Sequence, residues 1–304
     1  MMKTNTKYNK IKPPFGYYGS KHRLASQIVG HLPPHNTWVE AFCGSAAVTL
    51  AKPPAPIEII NDMDGHIVNL FQQLRDHQEE LCRLVALTPY ARGEYQRARE
   101  HDDDCTPLER ARQFLVATMM TVNGANGGKS SGFSFSQSYS RGGNEARVNR
   151  WYHLPERLEL VSERLRTIRI ENRDARELIS MFENRPATLI YLDPPYNINR
   201  KQRYNIDIDD DFHIDLLNKC LLSKAMILIS GYENDLYNSV LNTDSGWTKK
   251  YLSTSTRDTS GKDYPRTEVL WTNKFFESAL EIRKIPIELN PKEIQQNKVN
   301  PLRL

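Results

Sequence analysis

The chain has 304 residues, of which 39% are hydrophobic and 26% charged, and a net charge of +4. Such a chain can bury a substantial core, either as one large domain or as a domain with a smaller one inserted. No apolar run is long enough to cross a bilayer, so the sequence predicts no membrane-spanning helix. The mild positive charge is compatible with a polyanionic partner but does not demonstrate one.

The cysteines and the N-terminus predict where the protein resides. Cys43, Cys82, Cys105 and Cys220 are widely separated and form neither a C-x-x-C pair nor a Cys/His cluster with zinc spacing. This pattern predicts a reduced, cytoplasmic protein without structural disulfides or a bound metal. Residues 1–12 are polar and lysine-rich, so we expect a disordered leader rather than a secretory signal.

The first structural elements predict a strand, a tight turn and a helix. An apolar strand at residues 37–42 is followed by small residues that open a helix. A second strand, at residues 57–60, ends in Asn61-Asp62. A helix with its apolar residues on one face comes next.

The pattern changes over residues 76–154, which we predict to be an inserted, mainly helical subdomain. Helices are expected at residues 79–87 and 108–121, and a Gly/Ser/Asn-rich stretch follows at residues 123–149. A loop of that length inside a compact protein is usually functional or disordered.

Strands and helices then alternate again. Helices are expected at residues 158–165, 175–182 and 212–222, and strands at 167–170, 188–192, 225–230, 249–253 and 267–272. Such alternation predicts an α/β fold with a doubly wound, largely parallel sheet. The main domain would comprise residues 11–75 and 155–275, and residues 281–304 would be a loose C-terminal tail.

Three suggestive segments each follow a strand directly. They contain Gly44, Asp62 and Asp193. Because ligands of such sheets bind beyond the carboxyl ends of the strands, the fold would bring these segments to one edge.

The tetrapeptide Asp193-Pro194-Pro195-Tyr196 is the strongest chemical signal. It suits methylation of an aromatic amine, whose nitrogen is a poor nucleophile because its lone pair is delocalised into the ring. A carboxylate and a backbone carbonyl can accept the two N–H groups, and two prolines make the turn rigid without adding donors. The tyrosine ring offers a stacking surface for a base.

With these motifs the sequence resembles the D12 class of N6-adenine DNA methyltransferases, the Dam-like family, over most of its length. The resemblance implies a Rossmann-like methyltransferase sheet, S-adenosylmethionine as cofactor, and Asp193 to Tyr196 as the catalytic residues. The family's N-terminal motif is similar to residues 17–21, so Tyr17 and Lys21 would contact the cofactor.

The family's cofactor loop is similar to residues 40–46, which assigns Glu40, Phe42 and Gly44 to the cofactor. Ala41 and Ala46 stand where the family has proline and glycine. The loop alone is a weak signal, because a helix N-terminus packed on a sheet has the same pattern.

Acidic residues after the strands complete the expected cofactor site. Asp62 matches the residue that would accept the ribose hydroxyls, with Asp64 as a competitor for that role. Asp174 resembles the acid of the third strand, although a helix N-cap has the same appearance. Asp193 would also contact the cofactor.

The resemblance implies double-stranded DNA as the partner and a target adenine that is flipped out of the duplex. The inserted subdomain is expected to read the flanking bases and bind phosphates. The residues assigned to this contact are Asn123, Asn126, Lys129, Arg141, Arg147 and Arg150. Its loop departs from the Dam pattern, so recognition of GATC does not carry over.

Two alternatives remain open from the sequence. One is a cytosine-N4 methyltransferase, although serine usually begins that family's tetrapeptide. The other is a DNA-binding regulator with an idle fold, which would be expected to have lost the catalytic acid. RNA or a glutamine side chain as substrate, and a cognate restriction endonuclease as partner, are also left open.

Overall fold

The computed structural model describes residues 10–16, 19–100, 104–122, 132–135, 143, 145–195, 209–257 and 263–286. Its strands are β1 (Thr37–Glu40), β2 (Ile57–Asn61), β3 (Ile168–Glu171), β4 (Thr188–Leu192), β5 (Met226–Gly231), β6 (Trp247–Arg257) and β7 (Asp263–Asn273). They form a seven-stranded sheet in the order β3-β2-β1-β4-β5-β7-β6. Strands β1 to β5 run parallel, whereas β7 is antiparallel to both β5 and β6. The predicted doubly wound α/β fold is confirmed.

The helices lie between and around these strands. They are α1 (Ala25–Val29), α2 (Ala47–Ala51), α3 (Gly65–Asp76), α4 (Gln78–Leu87), α5 (Arg92–Arg97), α6 (Pro107–Met119), α7 (Ala146–Tyr152), α8 (Leu154–Leu165), α9 (Ala175–Phe182), α10 (Asp210–Leu222), α11 (Asp235–Val240) and α12 (Lys274–Ile282). A short 3₁₀ turn, Lys21–Arg23, precedes α1.

The central strands are buried on both faces, as parallel sheets require. The side chains of neighbouring residues in one strand point to opposite faces of the sheet. In β4, Leu189 packs with side chains of α1, α2 and α12, whereas Ile190 packs with those of α9, α10 and α11. The near-continuous apolar runs of β4 and β5 therefore reflect helices on both sides of the sheet.

Helices α3 to α8 share one apolar cluster at the side of the sheet that ends in β3. It joins Leu115 of α6 and Trp151 of α7 to Phe71 of α3 and Leu158 of α8. Trp151 also donates its indole N–H to the carbonyl of Thr88 at 2.8 Å. The helices of the predicted insert thus pack directly on helices of the main sheet.

Two terminal expectations need correction. The backbone N–H of Ile11 donates to the carbonyl of Leu50 at 3.1 Å, so the described end of the expected leader is held against the core. Helix α12 was not predicted and extends one residue past the start of the expected tail at residue 281. Residues 1–9 and 287–304 lie outside the described part. Every described helix is too short or too polar to span a lipid bilayer.

Candidate active site

The segments after β1, β2 and β4 meet at the carboxyl edge of the sheet, around a cavity of about 70 Å³. Its described lining comprises Gly19, Ser20, Lys21, Glu40, Phe42, Cys43, Gly44, Ser45, Ala47, Asp62, Asp193, Pro194 and Pro195. The structure therefore brings together most of the residues that the sequence assigned to cofactor and catalysis. Tyr17 and Tyr196 lie outside the described residues.

The turn between β1 and α2 adopts a left-handed backbone at two positions. Gly44 has a φ of 47°, which glycine accepts readily, and Ala46 has a φ of 54°. For an alanine this conformation costs roughly 1–2 kcal/mol. The Ala46 N–H donates to the Cys43 carbonyl at 2.6 Å, and its methyl group is buried in the core. The tight turn that resembles a glycine-rich loop is thus retained with alanine at its last position.

Glu40, the last residue of β1, is a buried acid beside the cavity. Its carboxylate accepts hydrogen bonds from the backbone N–H and the hydroxyl of Thr49. Burial raises the pKa of Glu40 to about 7, although the bonds from Thr49 act in the opposite direction. A positively charged ligand in the cavity would favour its ionised form.

Asp62 and Asp64 have different roles in the structure. The carboxylate of Asp62 lines the cavity and accepts from the backbone N–H groups of Gly44 at 2.8 Å and Asp64 at 3.0 Å. Burial raises the pKa of Asp62 to about 6. Asp64 instead caps α3 by accepting from the N–H of His66 at 2.9 Å.

Asp174 is a helix N-cap outside the described lining of the cavity. Its carboxylate accepts from the N–H of Arg176 at 2.8 Å and forms an ion pair with the same residue's guanidinium at 2.6 Å. The geometry therefore shows a helix N-cap, which is the alternative role that the sequence left open for Asp174. The assignment of Asp174 to the cofactor stays a prediction without a contact that favours it.

Asp193 sits directly after β4, and Lys21 and Ser230 are among the described residues that hold its carboxylate. Its Oδ1 lies 2.5 Å from Nζ of Lys21 and accepts from the hydroxyl of Ser230 at 3.1 Å. Ser230 is the penultimate residue of the apolar strand β5, and its hydroxyl also lies 2.8 Å from the Tyr191 hydroxyl. The carboxylate is therefore oriented by the N-terminal motif on one side and by the neighbouring strand on the other.

Glu268 of β7 is a buried acid that sequence reasoning missed. Its Oε1 lies 3.2 Å from Nζ of Lys21, so one ammonium group bridges the carboxylates of Glu268 and Asp193. Burial alone would lower the pKa of Lys21, yet these two carboxylates outweigh it and raise that pKa. The sequence predicts a strand at residues 267–272 but assigns no functional residue to it. The available signal was a glutamate directly before the apolar run Val269–Trp271.

A second cavity, of about 180 Å³, lies between β4, β5, α10 and α11. Pro194 borders both cavities, because it lines the first one as well. Ser230 and Gly231 at the end of β5, with Tyr232 after them, are also in its wall. The proline turn after Asp193 thus separates two neighbouring spaces.

The residues assigned to DNA are only partly described. Asn123, Asn126, Lys129 and Arg141 lie outside the described residues, so their assignment stays a prediction. Arg147 and Arg150 lie on α7. The guanidinium group of Arg150 lies close to Gly16: a Cβ atom built on Gly16 would be 3.4 Å from Nη2 of Arg150. Arg150 therefore borders the segment that leads into the Lys21 motif. No described group of His, Cys, Asp and Glu residues could hold a metal ion.

Comparison with known proteins agrees with this geometry. The chain is similar to the Type II methyltransferase M1.LlaDCHI of Lactococcus lactis subsp. cremoris, with 28% identity over 202 residues. The alignment covers 62% of this chain and 67% of the relative. The profile of the D12 class N6 adenine-specific DNA methyltransferases matches residues 17–257, which include the turn after β1, Asp62 and the Asp193 turn. This match extends over most of the sequence, and the chain belongs to the D12 class N6 adenine-specific DNA methyltransferase family.

Proposed function

We propose that this protein methylates the N6 amine of adenine at a specific sequence in double-stranded DNA, with S-adenosylmethionine as methyl donor and the target base flipped out of the duplex. The observation that carries the proposal is the position of the Asp193 turn between two cavities. One cavity would hold the donor and the other the base, so that the reacting atoms meet at Asp193 and Pro194.

The charges of the first cavity fit this cofactor. Its described lining includes the carboxylates of Glu40, Asp62 and Asp193 but one ammonium group, that of Lys21. An excess of buried carboxylates favours a ligand with positive charge. S-adenosylmethionine has a sulfonium and an ammonium group, and when bound it supplies an electrophilic methyl group.

Individual residues have separable roles in this proposal. Asp62 would accept the ribose hydroxyls, and Glu40 would support the positive end of the ligand. Asp193 would accept a hydrogen bond from the N6 amine, and the carbonyl of Pro194 would accept the other. Both acceptors would raise the electron density on the nitrogen, and the Asp193 carboxylate would receive the proton that the nitrogen loses when it gains the methyl group. Lys21 and Ser230 would keep Asp193 in the orientation that the reaction needs.

A basic patch, composed of Lys10, Lys12, Arg150 and Arg157 around His22, supports the DNA side of the proposal. The pKa of His22 is lowered, mainly by burial and to a smaller extent by the charges of these four cations. Lys10 is anchored there, because its Nζ donates to the His22 carbonyl at 3.1 Å. None of the four cations forms an ion pair with a carboxylate in the described part of the chain. Clustered cations without acidic partners suit the phosphates of a DNA backbone.

We expect the double variant Lys12→Gln/Arg157→Gln to bind duplex DNA more weakly at low salt. The slope of log K against log salt concentration should fall by about 2, because each lost phosphate contact removes roughly 0.9 from it. Fluorescence anisotropy over a salt series measures this slope. The control is Lys224→Gln/Arg166→Gln, which removes the same number of charges directly before β5 and β3, at the amino ends of the parallel strands. An equal loss of slope in both variants would place the phosphate contacts elsewhere.

A role in restriction-modification is the most detailed part of the proposal. It rests on the Lactococcus relative, whose name describes a type II methyltransferase. In such a role a cognate restriction endonuclease would be the partner, and both enzymes would recognise one sequence.

The direct test is methyl transfer from labelled S-adenosylmethionine to unmethylated genomic DNA, followed by nucleoside mass spectrometry. N6-methyladenine is the expected product. The number of methylated adenines in the genome should match the number of copies of one recognition sequence. N4-methylcytosine would replace adenine with cytosine as the target. No incorporation, together with no binding of the cofactor by calorimetry, would favour an idle fold.

A further inference from the structure

A buried histidine and a buried tyrosine lie in the wall of the second cavity. His213 of α10 and Tyr237 of α11 are 2% and 6% exposed. Nδ1 of His213 lies 2.9 Å from the hydroxyl of Tyr237, and Pro194 lines the same cavity. Neither side chain was singled out by the sequence motifs. The pair therefore stands beside the catalytic turn without an assigned role.

The other ring nitrogen of His213, Nε2, is buried, and it forms no hydrogen bond within the part of the chain that the structure describes. Buried polar atoms without partners are rare in proteins, because each one loses its hydration without compensation. A histidine kept only for packing would be expected to have both nitrogens satisfied or to be replaced by an apolar residue.

Pro195 offers this ring a backbone acceptor, since the residue before it, Pro194, lines the same cavity as His213. Burial lowers the pKa of His213, and the Pro195 carbonyl acts in the opposite direction, as do Asp210 and Asp209 at the start of α10. The net direction is downward, so the neutral ring is favoured. A neutral imidazole has one N–H and one bare nitrogen.

The partners decide which nitrogen bears the proton. A carbonyl can only accept, so an interaction with Pro195 requires the proton on Nε2. Nδ1 is then bare and accepts from the hydroxyl of Tyr237. Burial raises the pKa of Tyr237, which keeps the phenol protonated and able to donate.

We propose that His213 is a positioning residue for the catalytic turn: its Nε2–H donates to the carbonyl of Pro195 when the target base is bound, and Tyr237 holds the ring in the required tautomer. The inference rests on the proposed function, since it assigns the second cavity to the base. The bond would hold the Asp193-Pro194-Pro195 turn at the distance that transfer requires. Misplacement of reacting groups by about 1 Å can cost roughly 100-fold in rate.

Two substitutions separate the donor from the ring. His213→Phe keeps an aromatic ring but removes the donor, and we expect a 10- to 100-fold lower kcat for methyl transfer, in keeping with the cost of misplacement. His213→Gln retains an N–H near the position of Nε2 and should recover most of that loss. The KM for DNA and the affinity for S-adenosylmethionine should stay within about twofold in both, as expected for an interaction that acts in the transition state. Equal kcat in His213→Phe and the wild type would overturn the proposal.

The tautomer can be measured without activity. In protein with ¹⁵N-labelled histidine, long-range ¹H–¹⁵N spectra show which ring nitrogen bears the proton, and His213→Gln identifies the signal. We expect the proton on Nε2 in the wild type, and a mixed or reversed tautomer in Tyr237→Phe. A proton on Nδ1 in the wild type would overturn the proposal even if His213→Phe fails to fold. If the wild type transfers no methyl group, the proposed function fails, while the tautomer still decides the role of the ring.

Discussion

Asp193→Ala is expected to abolish methyl transfer while the protein stays folded. The carboxylate is the acceptor proposed for the N6 amine, and groups that accept protons in a transition state typically contribute about 10²–10⁴-fold to the rate. We therefore expect kcat to fall by about 1,000-fold or more, within that range. Single-turnover transfer to duplex DNA under saturating cofactor measures this step.

The fold should tolerate this change because Lys21 keeps a second partner. Without Asp193 its ammonium group still lies 3.2 Å from Glu268, so no isolated buried charge is created. Asp193→Asn removes the charge with little change of shape and should also lose most activity. Asp76→Asn, at an exposed aspartate paired with Arg75, is the matched control and should be fully active. Near-normal turnover in Asp193→Ala would remove the proposed role of the carboxylate.

The central sheet and its reactive edge could be predicted from sequence because both depend on local patterns. The apolar runs that became β4 and β5 are long enough to specify strands that helices cover on both sides. The rule that ligands bind beyond the carboxyl ends of strands then places Asp62 and Asp193 together. The structure confirms that placement, since both line one cavity.

Local patterns could not separate binding acids from capping acids. Asp62, Asp64 and Asp174 each follow a strand and precede a helix. Asp64 and Asp174 accept from backbone N–H groups two residues later, which is the capping geometry. Asp62 makes the same local contact, with the N–H of Asp64, but it accepts in addition from Gly44, 18 residues earlier in the chain. Such long-range hydrogen bonds depend on the packing of the whole sheet and produce no periodic pattern in the sequence.

The same reason explains why the bridge through Lys21 was missed. Lys21 and Asp193 are separated by 172 residues, and Glu268 reaches them from an antiparallel strand. Helix α12 was missed because no element was predicted between the strand at residues 267–272 and the tail that was expected from residue 281. The structure shows that Asn273 caps this helix by accepting from the N–H of Phe276, whose ring is fully buried.

The largest expected effect on stability comes from Glu58→Gln. Glu58 of β2 is buried between two cations: its Oε1 lies 2.6 Å from Nζ of Lys52, and its Oε2 lies 2.5 Å from Nη2 of Arg164. These side chains are at most 5% exposed. Removing the shared carboxylate leaves both cations buried and uncompensated, which typically costs about 3–5 kcal/mol. Urea denaturation of variant and wild type measures the difference in free energy of unfolding.

A surface ion pair gives the matched control for this effect. Glu163→Gln breaks a pair with Arg166 in which both side chains are about 70% exposed, and such pairs contribute about 0–1 kcal/mol. The double variant Glu58→Gln/Arg164→Met removes one buried cation along with the carboxylate. It should be more stable than Glu58→Gln alone, because the cost arises from the unpaired charges rather than from the lost bonds. A loss below about 1 kcal/mol in Glu58→Gln would mean that water reaches these cations, since a hydrated charge carries little of the burial penalty.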